Sequence, residues 1–456
     1  MTTSQFTGTS PRIEAPEDLL LYFSAGEKPK ALWRVGTEHE KLGFDRATHG
    51  PLAYEGPHGI RSVLEQFSVR FGWKQVLEGP NIIALTREQA SITLEPGGQF
   101  ELSGAPVANT HEARAELQRH LAELEAISRD FGLVWLNIGR NPIVPTSRMP
   151  WMPKERYAIM RRYLPTRGSL ALDMMLGTGT VQTNFDYCNE RDMARKLRLG
   201  MAAAPFITAL YANSPFVDGA PSGMLSARAN VWSHTDPDRC GILPAVFRED
   251  FGYQDYVDWA LDVPMFFIHR GGHYRDTSGR SFRDFLAQGL DGERPTQEDW
   301  SLHLTTLFPE ARLKSYIELR MADVGSPAMI VALAALTRGL FYDDSSLREA
   351  SFLLRTLRPE HMPELQEQAI RHGLKGRALG RPIQDWLRDL LQIAQAGLER
   401  LAALDASGRN ETMYLEPLHE IVDSGVTQAE RLLRVYEDGG RRSFDPIFAR
   451  FGYPQP

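Results

Sequence analysis

Cysteine is nearly missing: the chain of 456 residues holds two, Cys188 and Cys240. They form no CxxC pair, so a disulfide framework is excluded by count and a structural zinc site lacks its usual ligands. Two reduced thiols in a cytoplasmic protein are the expectation. Long apolar runs are lacking as well. The longest, AMIVALAALT from Ala328 to Thr337, is too short to span a bilayer and predicts a buried helix. Positive charge is not in excess. Lys and Arg number 51 against 58 Asp and Glu, and the net charge of −7 argues against broad electrostatic binding to nucleic acid. The opening MTTSQFTGTS lacks the charged and apolar regions of a signal peptide. No Walker A loop, GxGxxG fingerprint, HExxH pair or GxSxG elbow is present, which removes the commonest nucleotide, zinc-protease and hydrolase signatures. GTGT at Gly177 to Thr180 is glycine-rich but has neither the lysine nor the spacing of a phosphate loop.

What is there is an enzyme-like composition, 42% hydrophobic and 24% charged, with no internal repeat. The length allows one large domain or two to three smaller ones. APEDLLLYFSAGEKP predicts a first helix, and strand-like pieces follow around Glu38 and in NIIALT, SITLEP and QFELSG. Asn109 or Thr110 caps a long helix that stops at Gly132. TVQTNFDY (Thr180 to Tyr187) and SYIELRMAD (Ser315 to Asp323) alternate like half-buried strands. From about Ser345 the pattern is almost wholly helical, with a T-x-x-E capping box at Thr427 and Glu430. The fold class expected is α+β with a mainly helical C-terminal part, roughly residues 345–456, and no boundary sharp enough to cut the chain.

Acidic residues recur at strand-like positions. In GTEHEKLGFD, a continuing strand places Glu38 and Glu40 on one face. His39 then points to the other face, where a packed or hydrogen-bonded histidine is expected and not a metal ligand. In LEPGGQFELSG, a loop of Pro96, Gly97 and Gly98 sets Glu95 opposite Gln99 and puts Glu101 on the same face; a two-residue loop puts Glu101 on the other. The double glycine also permits close backbone approach to a ligand. Gln182, Asn184 and Asp186 alternate along one strand, Glu318 and Arg320 along another. If Glu38, Glu40, Glu95, Glu101 and Glu318 converge, the ligation is oxygen-only, the environment of Mg²⁺ or Mn²⁺. Such ions serve phosphate chemistry. The cations this needs are supplied by Lys154, Arg156, Arg161, Arg162 and Arg228, of which Arg161 and Arg162 fit a helix surface equally well.

GTEHEKLGF, SITLEPGGQFELSGAP, MPKERYAIMRRYLP, TVQTNFD, ALDVPMFF, HLTTLFPEARLK and GVTQAERLL, in that order, resemble the plant and proteobacterial type of glutamate–cysteine ligase from about Leu19 to Phe448. The resemblance implies a glutamine-synthetase-like fold: a curved, mainly antiparallel sheet forming a funnel, with helices outside, in a single catalytic domain over residues 1–456. It implies ATP-dependent joining of glutamate to cysteine through γ-glutamyl phosphate, with Mg²⁺ required. It assigns Glu38, Glu40, Glu95, Glu101 and Glu318 to metal, and Gln182, Asn184, Lys154 and Arg320 to the nucleotide. Arg156, Arg228 and Phe266 go to substrate, Phe266 standing where plant members carry tyrosine, and Arg228 and Arg320 to catalysis. The two cysteines do not match the plant redox pairs, so redox-controlled dimerisation is not carried over. A cytoplasmic monomer or homodimer with no membrane or nucleic-acid partner is expected. The sequence leaves open a same-fold ligase with another amine acceptor, a metal-dependent hydrolase that uses no nucleotide, and a non-catalytic binding protein.

Overall fold

Alternating polar and apolar residues build most of the long strands, and these collect into one open sheet. The computed structural model describes residues 10–438 and 442–454; the polar opening lies outside them except for Ser10. The strands are β1 (Val35–Asp45), β2 (Lys74–Glu78), β3 (Asn81–Arg87), β4 (Ala90–Leu94), β5 (Phe100–Ser103), β6 (Leu133–Leu136), β7 (Thr180–Phe185), β8 (Ala311–Leu313), β9 (Ile317–Asp323) and β10 (Gly452–Tyr453). Their order is β8-β9-β7-β1-β5-β4-β3-β2, and every neighbouring pair is antiparallel. The 11-residue β1 is shared. Its first half lies between β5 and β7, and its second half pairs with β6, which β10 extends.

One face of this sheet is covered by helices. Thr183 on β7 meets Thr337 at 2.8 Å, which seats the helix Pro327–Phe341 on that face. This helix contains the apolar run noted in the sequence, and its residues from Met329 to Phe341 are all buried. The helix Ile383–Leu401 packs on it so closely that a Cβ on Gly397 would stand 2.1 Å from the Gly339 carbonyl oxygen. Asn109 caps the helix Thr110–Phe131, accepting from the Glu112 amide, and Gly132 ends it in the left-handed conformation (φ 66°). The Thr427 and Glu430 capping box forms as the spacing predicts. The C-terminal stretch is not helical throughout: β10 returns to the main sheet, and Arg377–Ala378 pairs with Arg381–Pro382.

A buried ion pair ties this C-terminal part to the rest. Glu411, fully buried, accepts from Arg338 Nε (2.9 Å) and from the Thr110 backbone amide (2.6 Å). Arg338 also donates to the Ala108 carbonyl at 2.8 Å.

The turn between β4 and β5 is a three-residue loop. The Glu95 amide donates to the Gln99 carbonyl (3.1 Å), and the Gly98 amide returns to the Glu95 carbonyl (2.9 Å). Gly98 takes φ 86°, where glycine is favoured. Gly97 makes its close approach to protein, since a Cβ there would stand 2.1 Å from the Leu176 carbonyl oxygen. The expectation of a ligand against that glycine is corrected accordingly. Gly97→Ala must displace this turn, and a loss of about 1–3 kcal/mol is expected in thermal unfolding.

Candidate active site

The other face of the sheet carries the carboxylates. Register fixes the pattern: Glu40 lies opposite Glu101, Glu38 opposite Gln182, and Asn184 opposite Glu318. Because the β4–β5 loop has three residues, Glu95 and Glu101 share this face, as the Pro-Gly-Gly signal predicts. Glu38, Glu40, Glu95 and Glu101 line one cleft of about 640 Å³, open solvent included, with Gln182, Arg228 and Arg320 across from them.

Each carboxylate is positioned by its neighbours. Glu40 Oε2 accepts from the Thr180 amide (3.0 Å), Glu38 Oε1 from Asn184 Nδ2 (2.8 Å), and Glu101 Oε1 from the Ser103 hydroxyl (2.5 Å). Burial, then the charges of Glu101 and Glu95, push the Glu40 carboxyl well above the usual range. Burial and Glu101 do the same to Glu95. A partial offset comes from behind the sheet, where Lys41 is fully buried on the opposite face with its Nζ 2.8 Å from His39 Nδ1. Burial lowers the Lys41 ammonium to about 7, against the pull of Glu101 and Glu40. His39 is therefore the packed, hydrogen-bonded residue the alternation predicts.

The cationic wall depends on an irregularity. The β7–β9 register shifts between Leu319 and Ala322. At this shift Arg228 donates to the carbonyls of both Arg320 (2.8 Å) and Met321 (3.2 Å). Arg320 reaches Gln182 Oε1 at 2.6 Å and Glu318 Oε2 at 3.4 Å. Arg228 comes from the short helix Ala227–Ser233, capped by Ser226.

Five of the expected site residues do not line the cavity. Glu318 is the clearest correction: it is fully buried, with Oε2 accepting from Arg312 Nε (2.5 Å) and Oε1 from Lys314 Nζ (2.9 Å). Burial opposes its charge, yet Arg312, Lys314 and Arg320 hold its carboxyl far below the usual carboxylate range. Both oxygens are held by cations, and the side chain stands outside the lining of the cleft. Asn184 stands behind Glu38. Lys154 donates to the Leu94 carbonyl at 2.7 Å, and burial lowers its ammonium to about 8. Arg156 acts on Glu95 through its charge and lies with its guanidinium 5.3 Å from the Tyr157 ring. Phe266 is a core residue covered by the Arg239 guanidinium, 3.9 Å above its ring. Arg161 rests on Trp151 and Arg162 pairs with Asp276, both outside the cavity.

Sequence reasoning missed Arg312, Thr180 and Trp232, which also line the cavity. Arg312 faces Glu318 directly across the β8–β9 pair, a pairing that register alone could reveal.

The donor set fits a hard divalent cation. Glu95 Oε1 and Arg228 Nε are buried with no partner among the described residues, and such orphaned atoms call for a ligand. As they stand, no three acidic, histidine or cysteine side chains among the described residues converge into a formed metal cage. The carboxylates line the cavity without closing on one point.

This fold is a known one. It matches the crystal structure of a glutamate–cysteine ligase from Francisella tularensis in complex with AMP, with a TM-score of 0.54 over 92% of this chain and 87% of that one, at 12% identity. The family follows from the sequence. Residues 34–445 match the model of glutamate-cysteine ligase family 2. Glutamate–cysteine ligase B, chloroplastic, of Oryza sativa subsp. japonica is 45% identical over 96% of this chain and 87% of its own length. The chloroplastic glutamate–cysteine ligase of Arabidopsis thaliana is 45% identical over 96% and 83%. The chain belongs to this family of ligases. The names of these relatives overturn the expected cytoplasmic location. A compartment is not written in a catalytic body's charge and core, and membership of a family with chloroplastic members gives no support to the cytoplasm. Among the described residues no helix is long and apolar enough to cross a membrane.

Proposed function

We propose that the protein joins the γ-carboxylate of glutamate to the amine of cysteine with ATP, giving γ-glutamylcysteine, ADP and phosphate, the first step of glutathione synthesis. The observation that carries this is four buried carboxylates facing Arg228 and Arg320 in one cavity, in a chain whose relatives are named for this ligation. Strands from Val35 to Tyr453 in one sheet support a single catalytic unit.

Glu38, Glu40, Glu95 and Glu101 would hold Mg²⁺, and Mn²⁺ shares the same oxygen preference. When bound, the ion supplies charge neutralisation at the phosphate oxygens of ATP. Arg228 holds the glutamate carboxylate, and Arg320, steadied by Gln182 and Glu318, meets the charge on the transferred phosphoryl group. The γ-carboxylate oxygen attacks the γ-phosphorus and ADP leaves. The free amine then attacks the acyl carbon of γ-glutamyl phosphate, phosphate leaves with the C–O electron pair, and the departing phosphate carries off the amine proton. The first step needs no general base, because a carboxylate is already ionised. Positioning and fixed charge do the rest. Trp232 and Phe308 form an aromatic wall that limits water at the acyl phosphate.

The test is ADP release by the purified protein with Mg²⁺ and glutamate, with and without cysteine. Release that needs both amino acids, with γ-glutamylcysteine found by mass, supports the reading. ADP without that product, across several amines, returns the acceptor to question. Arg228→Lys is expected to lower kcat/KM for glutamate by about tenfold to a hundredfold, since one ammonium cannot replace a planar fork.

A further inference from the structure

Strand β9 holds Arg228 twice. Two of its carbonyls, of Arg320 and Met321, accept from the guanidinium, which leaves Arg228 Nε buried and without a partner among the described residues. Two residues further along the strand, the Asp323 carboxylate reaches the backbone of the same arginine through a serine. Asp323 Oδ2 accepts from the Ser214 hydroxyl (2.6 Å), and Ser214 Oγ accepts from the Arg228 amide (3.0 Å).

A second serine repeats the connection one residue on. Asp323 Oδ1 accepts from the Ser226 hydroxyl (2.9 Å), and Ser226 Oγ accepts from the Ala229 amide (3.2 Å). Each serine whose oxygen takes an amide still has one proton to place, and a single carboxylate receives both. The Asn213 amide adds a third hydrogen bond, to Oδ2 (2.9 Å), and Arg228 Nη1 stands 3.9 Å from Oδ1. Asp323, Ser214, Ser226 and Arg228 are all buried. Burial pushes the Asp323 carboxyl up, against Arg228, the two hydroxyls and the Asn213 amide. There is no slack around it, since a Cβ on Gly139 would stand 2.4 Å from Asp323 Cγ.

We infer that Asp323 is a positioning residue for Arg228, fixing where the guanidinium fork stands in the cleft by anchoring the start of the helix that carries it. The inference rests on the ligase reading above, in which Arg228 holds the glutamate carboxylate. Asp323 itself does not line the cleft, so it acts only through its partners. A fork binds a carboxylate through two aligned N–H groups, and a displaced base misaligns both at once. The charge of Arg228 is its own; its place is set by Asp323.

The test compares wild type, Asp323→Asn and Ser214→Ala. Asp323→Asn keeps the shape but sets an N–H group where an acceptor stood. The KM for glutamate is expected to rise about tenfold or more, while the KM for ATP stays within about twofold. Ser214→Ala keeps the carboxylate and breaks only the link to the Arg228 amide, so the glutamate KM is expected to rise about threefold or more. It carries the test alone if Asp323→Asn does not fold. A purely structural residue would lower the folded fraction and leave both KM values in place. That result overturns the inference, as does an equal rise for ATP. A double-mutant cycle with Arg228→Lys reads the route. A lysine ammonium makes no use of the fork, so adding Asp323→Asn to it is expected to cost less than about threefold further in kcat/KM for glutamate. Losses that multiply in full overturn the inference. Calorimetric titration of glutamate, with Mg²⁺ present, into wild type and both single variants reads the same contact without turnover. Weaker binding to the variants supports the inference even where wild type forms no γ-glutamylcysteine, an outcome that overturns the ligase reading alone. Equal binding to all three overturns the inference, and a wild type that neither binds glutamate nor forms the product overturns both.

Discussion

Glu95→Gln is expected to lower kcat/KM by at least about a hundredfold while leaving the thermal midpoint unchanged or higher. The two effects come from the same charge. Glu95 is buried, its carboxyl is pushed up by burial and by Glu101, and one of its oxygens has no partner among the described residues. In the folded protein without a cation this charge is a burden, so neutralising it relieves repulsion toward Glu101 and Glu40. In the proposed role the same oxygen would be a metal donor, and an amide is a far poorer one. The variant should also need more Mg²⁺ for half-maximal activity. Near-normal turnover would remove Glu95 from the metal set. A large drop in melting temperature would make it a structural residue.

Glu411→Ala is expected to cost about 3–5 kcal/mol in unfolding free energy, read as a lowered urea or thermal midpoint. The substitution leaves the Arg338 guanidinium buried beside an empty space and removes the acceptor of the Thr110 amide. Arg338→Met with Glu411→Leu should recover much of the loss, because both charges then leave the interior together. Activity per folded molecule should hold in both variants, since the pair lies on the helical side of the sheet. If Glu411→Ala unfolds at the wild-type midpoint, solvent reaches this pair and the burial argument fails.

Local pattern was enough for part of the site. Alternation with period two placed Glu38 and Glu40 together and turned His39 away. Pro96, Gly97 and Gly98 fixed the loop length, and with it the side taken by Glu101. What alternation cannot show is which oxygen is already taken. Glu318 has the same strand signature as Glu40, but Arg312 and Lys314 reach it only because a tight turn folds β8 onto β9. The register shift after Leu319, which gives Arg228 two successive carbonyls, has no composition signal either. Phe266 followed the family motif, but its surroundings are set by Arg239, whose guanidinium is fixed by Asp236 at 2.7 Å and by the Pro264 carbonyl at 2.7 Å. The strand Gly452–Tyr453 is too short for any periodicity to show. The turn between β8 and β9 decides the first case, and contact between distant segments the other three.

The order in which β1 acquires its neighbours has a consequence for the growing chain. β5 follows within about sixty residues, but β7 is made only some 140 residues after β1. During that interval one edge of a long strand rich in exposed hydrogen-bonding groups has no partner. Such edges recruit other chains and seed aggregates. Glu38 and Glu40 project from that stretch, and inward-pointing charge is one of the ways natural sheets keep an open edge from pairing wrongly. The acids proposed to hold the metal would thus also guard the nascent chain, and replacing both with apolar residues would be felt first as lost soluble yield.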